Sequence, residues 1–279
     1  MSDPHRHHFI PRFYQRGFVP GRGHKIWVYE NDKKPRQRSV SSVGMQIDLY
    51  AFEQAGKVDF GTVEKELSRL EDHASRVIQK LESGRPITDK DRARLSRFVS
   101  VMWRRTPKHM DHVNKTAVDL VPGVFAPLEQ LEDRMSPEVK AEVRRLKKKY
   151  SEQPPAVVFA HNVLRDSVFE DVMYSMDWAF FTACNGKQFL TSDNPVMFNQ
   201  GSGLGSPDAI VAFPLSTRLF LQCMRKTTWG NMFHELEASQ VDYFNLCTVQ
   251  NAHKQVLASQ KSEDIYRIVK ENLGAWNQP

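Results

Sequence analysis

Read for the spacing of its apolar positions, the chain changes period three times. Residues 25 to 53, KIWVYENDKKPRQRSVSSVGMQIDLYAFE, set β-branched and aromatic residues around ENDKKP, whose Asn, Asp and Pro favour a turn, and so predict a short antiparallel hairpin or ribbon. From Gly61 the period becomes helical. Val63, Leu67, Leu70, Ala74, Val77, Ile78 and Leu81 recur at steps of three and four until Gly84 stops the run. A second helix starts at TDKD, where Thr88 or Asp89 can cap free amides, and carries Leu95, Phe98, Val99 and Met102 towards Pro107.

The middle of the chain reads differently. VPGVFAP at 121 to 127 is expected to break it, and DRMSPEVKAEVRRLKKKYSEQPP, from 133 to 155, predicts a solvated helix with Pro137 in its first turn and Pro154 and Pro155 as its stop. An apolar helix is expected from about Ala156 to Met173. Strand-like runs follow: WAFFTAC, QFLTSD, AIVAFPL and RLFLQCM, with a tight hairpin turn at Asn185 and Gly186. Two helical stretches, about 235 to 257 and 262 to 273, close the chain. Strands, helices, hairpins and helices in that order predict an α+β fold. An antiparallel sheet, made of the N-terminal ribbon and the C-terminal hairpins, would pack against a helical layer. One domain over 1–279 is expected, with a charged helical insertion at about 121–155.

Composition adds a partner and a compartment. The 40% hydrophobic content supplies a core, and a formal charge of +6 favours an acidic partner such as nucleic acid. Cys184, Cys223 and Cys247 are odd in number and form no C-x-x-C pair, which reads as reduced, buried thiols. No run approaches the roughly 18 apolar residues of a membrane span, and the first residues lack a secretion signal's apolar core, so a cytoplasmic protein with no membrane partner is expected.

Candidate chemistry gathers in four places. HRHHFIPRFYQRGF, residues 5 to 18, packs three histidines and three arginines among aromatics. Phe9, Phe13 and Phe18 read as core anchors. His7 and His8 are neighbours that face opposite ways on a strand, so one of the two is a candidate catalytic group, and Arg12 is a candidate substrate contact. Glu64 and Glu71 lie two helical turns apart at the border of the apolar stripe, where carboxylates aimed inward could hold a divalent metal or act as a base. TSDNPV ends an apolar strand: Pro195 forces Asn194 extended, and Asp193 could bind a metal, orient a histidine or accept a proton. The structural alternative is an Asx turn. In WRRTPKH, Arg104 and His109 have an R-x-x-x-x-H spacing that resembles the HEPN class of metal-independent ribonucleases, although Pro107 interrupts it. Arg104 and Arg105 could instead pair with Glu64 or Glu71. Nucleophile-elbow, phosphate-loop and zinc-helix motifs are lacking, and GSGLGS at 201 to 206 reads as a flexible loop.

The ordered segments HHFIPRFYQRGF, IWVYE, VEKELSRLE, RFVSVMWRRTP, FLTSDNPV and FPLS, spanning residues 7 to about 257, resemble the bacterial family catalogued as domain of unknown function 4238. The resemblance implies one shared architecture and carries no catalytic residue with it. Two functional expectations stand. The first is a nuclease-like, phosphodiester-directed hydrolase. His7, His8, Asp193 and Asn194 would be its catalytic groups, and Arg12, Arg104, Arg105 and His109 its substrate contacts. Glu64 and Glu71, with His8 and Asp193, would hold Mg or Mn. The second is a non-enzymatic nucleic-acid- or protein-binding module. There the same polar groups form a buried network, and the basic helix at 140 to 149 meets the partner.

Overall fold

In a computed structural model, which describes residues 6–21, 23–47, 49, 52–54, 57–59, 62–152, 165, 167–199, 203–225 and 233–277, the N-terminal stretch forms a strand, β1 (Arg6–His8), and a helix, α1 (Arg12–Arg16), behind Pro11. The expected ribbon follows as β2 (Lys25–Glu30) and β3 (Lys33–Ser39), antiparallel, with Asp32 at positive φ in the turn. β4 (Met45–Ile47) returns along β1, setting His7 opposite Gln46 and His8 opposite Met45. Gly44 makes that return possible. Its φ is +61°, and an added Cβ would stand 2.6 Å from Ile10 Cβ, so no side chain fits there. A small pair, β5 (Phe52–Gln54) and β6 (Lys57–Asp59), precedes the helices.

Both amphipathic helices form where the period places them: α2 (Thr62–Glu82) and α3 (Asp89–Arg104). Thr88 caps α3 reciprocally with Asp91, and Asp91 also accepts from Lys80 at 2.6 Å, which ties the two helices together. The next helix departs from expectation. α4 (Pro107–Gln130) runs unbroken through Pro122 and Pro127. Each proline removes a helical hydrogen bond and crowds the preceding turn, but α4 lies along α5 (Pro137–Glu152), and its buried positions, Val121 and Phe125, fall one turn apart on a single face. Tertiary packing outweighs local propensity here. The charged stretch is thus part of a helical hairpin, α4 and α5, that begins at Pro107. Of the apolar helix expected from Ala156 to Met173, residues 156–164 and 166 lie outside the described residues, and the described part is α6 (Val168–Ser175).

The remaining strands are β7 (Asp177–Ala183), β8 (Thr191–Ser192), β9 (Met197–Phe198), β10 (Ile210–Pro214), β11 (Leu219–Met224), β12 (Phe233–Leu236) and β13 (Val256–Ala258). They do not extend the ribbon into one sheet. One sheet has the order β12-β7-β11-β10-β9, antiparallel except for β12 with β7, and another has the order β3-β2-β13-β8. The fold is α+β with antiparallel-dominated sheets against helices, as the element order predicts. Gly186 does turn at φ +82°, yet β7 pairs with β11 while the chain after the turn enters the other sheet as β8. Of the two closing helical stretches, the second forms as α8 (Glu263–Asn272), while the first ends early: α7 (Ala238–Asn251) gives way to β13, a three-residue strand buried at every position. Its run of apolar residues has no polar alternation to distinguish strand from helix.

WAFF in β7 is buried throughout because packed side chains cover both faces of the sheet at this strand. Trp178 and Phe180 enter the main core with α2, α3 and α6, while Ala179 and Phe181 face α7. In the other sheet Ile26, Val28 and Leu257 join the main core, and Tyr29, Val256 and Ala258 pack towards Val269 of α8.

α1 sits where the two sheets meet. Its Tyr14, fully buried, stacks on Phe213 of β10 with ring centroids 5.1 Å apart. The Tyr14 hydroxyl donates to the Pro214 carbonyl at 2.8 Å and shares a 2.7 Å hydrogen bond with Thr191 Oγ1 of β8. Gln15 donates to the carbonyls of Ile10 and Val43 at 2.8 and 2.9 Å. The opening aromatic stretch is therefore a plug with a hydrogen-bonded head. Replacing Tyr14→Phe leaves a hydroxyl and a carbonyl unpaired in a dry core and is expected to cost about 1–3 kcal/mol of stability, read by urea denaturation.

Candidate functional site

His7 lies in β1 and is buried, and His8 beside it is half-buried. Arg12 is exposed on the first turn of α1. Neither histidine joins a metal centre with Glu64, Glu71 and Asp193. Among the described residues no group of three or more His, Cys, Asp or Glu side chains stands together as ligands, so the four-residue set expected from sequence does not assemble.

Glu64 and Glu71 do share a helix face, and they feel each other's charge. Burial and then the Glu71 carboxylate push the Glu64 carboxyl up, while Arg105 opposes them. Arg105, fully buried, donates to Glu71 at 2.8 Å. This is the ion pair that the sequence allowed as an alternative to phosphate binding. Arg104 is also sealed: it donates to Glu170 at 2.8 Å and to the Arg165 carbonyl at 2.7 Å. Each guanidinium is committed to a carboxylate inside the fold, and removing one partner would leave an unpaired buried charge.

His109 packs on Trp103, ring centroids 4.4 Å apart, after Thr106 has capped α4. Burial, and after it the charges of His112 and Arg104, push its imidazole down to about 4. Arg104 is thus near enough to act on it electrostatically, as an R-x-x-x-x-H pair requires, but the guanidinium is spent on Glu170 and the Arg165 carbonyl.

TSDNPV is a clasp. Asp193 is buried and accepts the backbone N–H groups of His253, Lys254 and Gln255 at 2.8, 2.8 and 3.1 Å. Burial pushes its carboxyl up, and those amides work against the shift. Asn194 donates to the Asn251 carbonyl at 2.9 Å, and Asn251 returns bonds to the carbonyls of Asn194 and Val196. Earlier in the same helix, Asn245 accepts from the Leu190 N–H and donates to the Gln188 carbonyl. Two asparagines of α7 thereby satisfy the backbone of residues 188 to 196 where no strand does. Asn245 and Asn251 were not picked from sequence. The available signal was two amides inside an otherwise apolar helical run, YFNLCTVQN, where asparagine is a poor helix former.

The exposed cations are elsewhere. Nine of the 39 Lys and Arg and three of the 33 Asp and Glu lie in residues 1–40, so this stretch carries the chain's entire formal charge of +6 and the rest is balanced. Arg12 and Arg16 of α1 and Lys25, Lys33, Lys34 and Arg36 of the ribbon are exposed. β3 is an edge strand of its sheet, and among the described residues Lys33 and Arg36 share Glu30 as their ion-pair partner, at 3.4 and 2.8 Å. On α5, by contrast, Arg144, Arg145 and Lys147 pair with Glu132, Glu142 and Glu129.

Two outcomes follow from these environments. Asp193→Ala is expected to cost about 2 kcal/mol by removing a charged acceptor from three amides, and to lower the melting temperature. For His109, an unfolded value near 6.5 against about 4 when folded means that stability is lost as pH falls from 6.5 to 4 and levels off below. His109→Gln is expected to flatten that part of a denaturation-midpoint profile relative to wild type.

A family model described as Protein of unknown function (DUF4238) matches residues 6–262. No curated protein and no solved structure matches the chain.

Proposed function

The chain belongs to the DUF4238 family, whose description states no activity, and from that premise we propose that it is a non-enzymatic nucleic-acid-binding module that grips the phosphate backbone through its N-terminal ribbon. The observation that carries this reading is the excess of positive charge in residues 1–40, of which Arg12, Arg16, Lys33, Lys34 and Arg36 are exposed on α1 and on an edge strand. Alternate residues of a strand point to one side, about 7 Å apart, so Lys34 and Arg36 offer successive donors to a repeating anion, and Arg12 and Arg16 are further exposed donors on α1. The surface pairs of Glu30 with Lys33 and Arg36 are worth roughly 0–1 kcal/mol and give way readily to phosphates.

The buried groups fit the same reading. Arg104, Arg105, Asp193 and Asn194 are committed to internal partners and hold the scaffold rigid, which is how a binding module uses them. Hydrolysis would ask the same side chains to face a substrate.

The test is fluorescence anisotropy with a labelled oligonucleotide, single-stranded and duplex, across a salt series. Binding is expected to weaken linearly on logarithmic axes. Combined charge reversal at Lys33, Lys34 and Arg36 should weaken it on the order of tenfold or more and reduce the slope by roughly 2–3, at about 0.7–0.9 per phosphate contact. Reversal at Lys147 and Lys148 of α5 should change little. Equal losses from both sets, or no binding by wild type, would refute the ribbon as the interface, and cleavage of the probe with Mn would favour the hydrolytic reading.

A further inference from the structure

Among the described residues, α7 covers only part of the five-stranded sheet's face that it meets. Beside α7 lies a cavity of about 470 Å³, lined by Met197 and Phe198 of β9, Asn199, Ile210 and Ala212 of β10, Gln222 of β11, Tyr243, Phe244 and Cys247 of α7, and Trp276. A second hollow of about 290 Å³ shares Gln222, Tyr243 and Phe244 with it and adds Ser239 and Gln240. The larger volume is in the range of small-molecule sites.

The lining is selective. Charged residues make up 26% of the chain, yet the larger cavity has none in its described wall. An ionic group entering it would lose hydration without gaining a partner. Tyr243, Phe244 and Trp276 supply aromatic surface, while Met197 and Cys247 add polarisable sulfur, a combination that favours a π system over a saturated body. Ala212 opposite Gln222 is the small position between Ile210 and Pro214, and it leaves the floor of the cavity low.

Two polar groups at the wall differ in what they can offer. Asn199 is occupied, donating to the Asp208 carbonyl and accepting from Ile210 N–H at 2.9 and 2.8 Å. Gln222 directs its amide nitrogen to Met224 Sδ at 3.0 Å, and among the described residues its carbonyl oxygen remains to accept from a ligand. Tyr243, 63% exposed, stands at the rim.

We propose that this cavity binds an uncharged, planar aromatic molecule that carries a hydrogen-bond donor, with the ring over Ala212 and the donor on Gln222. The site is separate from the basic ribbon and uses no group of the phosphate-binding reading.

Calorimetric titration with indole and with indole-3-carboxylate tests it. Indole is expected to bind at least about tenfold tighter than its carboxylate, because only the latter brings an unpaired charge. Ala212→Leu, which fills the floor, should abolish indole binding, and Tyr243→Ala, at a largely exposed position, should weaken it several-fold. Absence of indole binding, equal affinity for the carboxylate, or wild-type affinity in both variants would overturn the assignment. A failure of Ala212→Leu to fold leaves the decision to Tyr243→Ala.

Discussion

A single phenol oxygen joins the halves of this molecule. Tyr14 reaches from α1 to Thr191 in one sheet and to the Pro214 carbonyl in the other. In a dry interior an unmade hydrogen bond costs more than a made one gains, so the geometry of all three elements is tied to that oxygen. Burial pushes the hydroxyl well above its ordinary range, which keeps it a neutral donor at any physiological pH. The aromatic stretch at the start of the chain thereby sets how the ribbon and the central sheet lie against each other.

The polar residues that read as chemistry mostly serve the same end. Asp193 collects three amides from a loop sixty residues away, and Asn194 and Asn251 exchange bonds across a comparable distance. Arg105 and Arg104 each lock a helix to a carboxylate on another. A site for catalysis and a buried network both require exact placement of polar atoms. They differ in whether the last valence points outwards. Here the described partners are internal, while the chain's excess of positive charge falls in residues 1–40, where Arg12 and Arg16 of α1 and Lys25, Lys33, Lys34 and Arg36 of the ribbon are exposed.

Local signals were legible in the sequence. Thr88 with Asp91 marks the start of α3, and the stripe from Val63 to Leu81 marks the buried face of α2, because caps and periodicity act within a few residues. What depended on distant partners was not. Nothing near Val256 announces that Leu257 will lie between Val28 and Thr191. The prolines of α4 signal a break that packing along α5 overrides. TSDNPV could be seen to matter, but its meaning lay in Asn251 and the amides at 253 to 255. The confinement of net charge to the first forty residues was present in the letters and needed only to be counted by segment.

The edge position of β3 has a consequence for the behaviour of many copies together. An open strand edge offers unpaired amides and carbonyls on which another chain can zip. Lys33, Lys34 and Arg36, with Pro35 between them, make two such edges repel and deny one donor. Positive charge on this ribbon therefore also serves as colloidal protection, and a polyanion that neutralised it would bring the edges of neighbouring molecules within reach of each other.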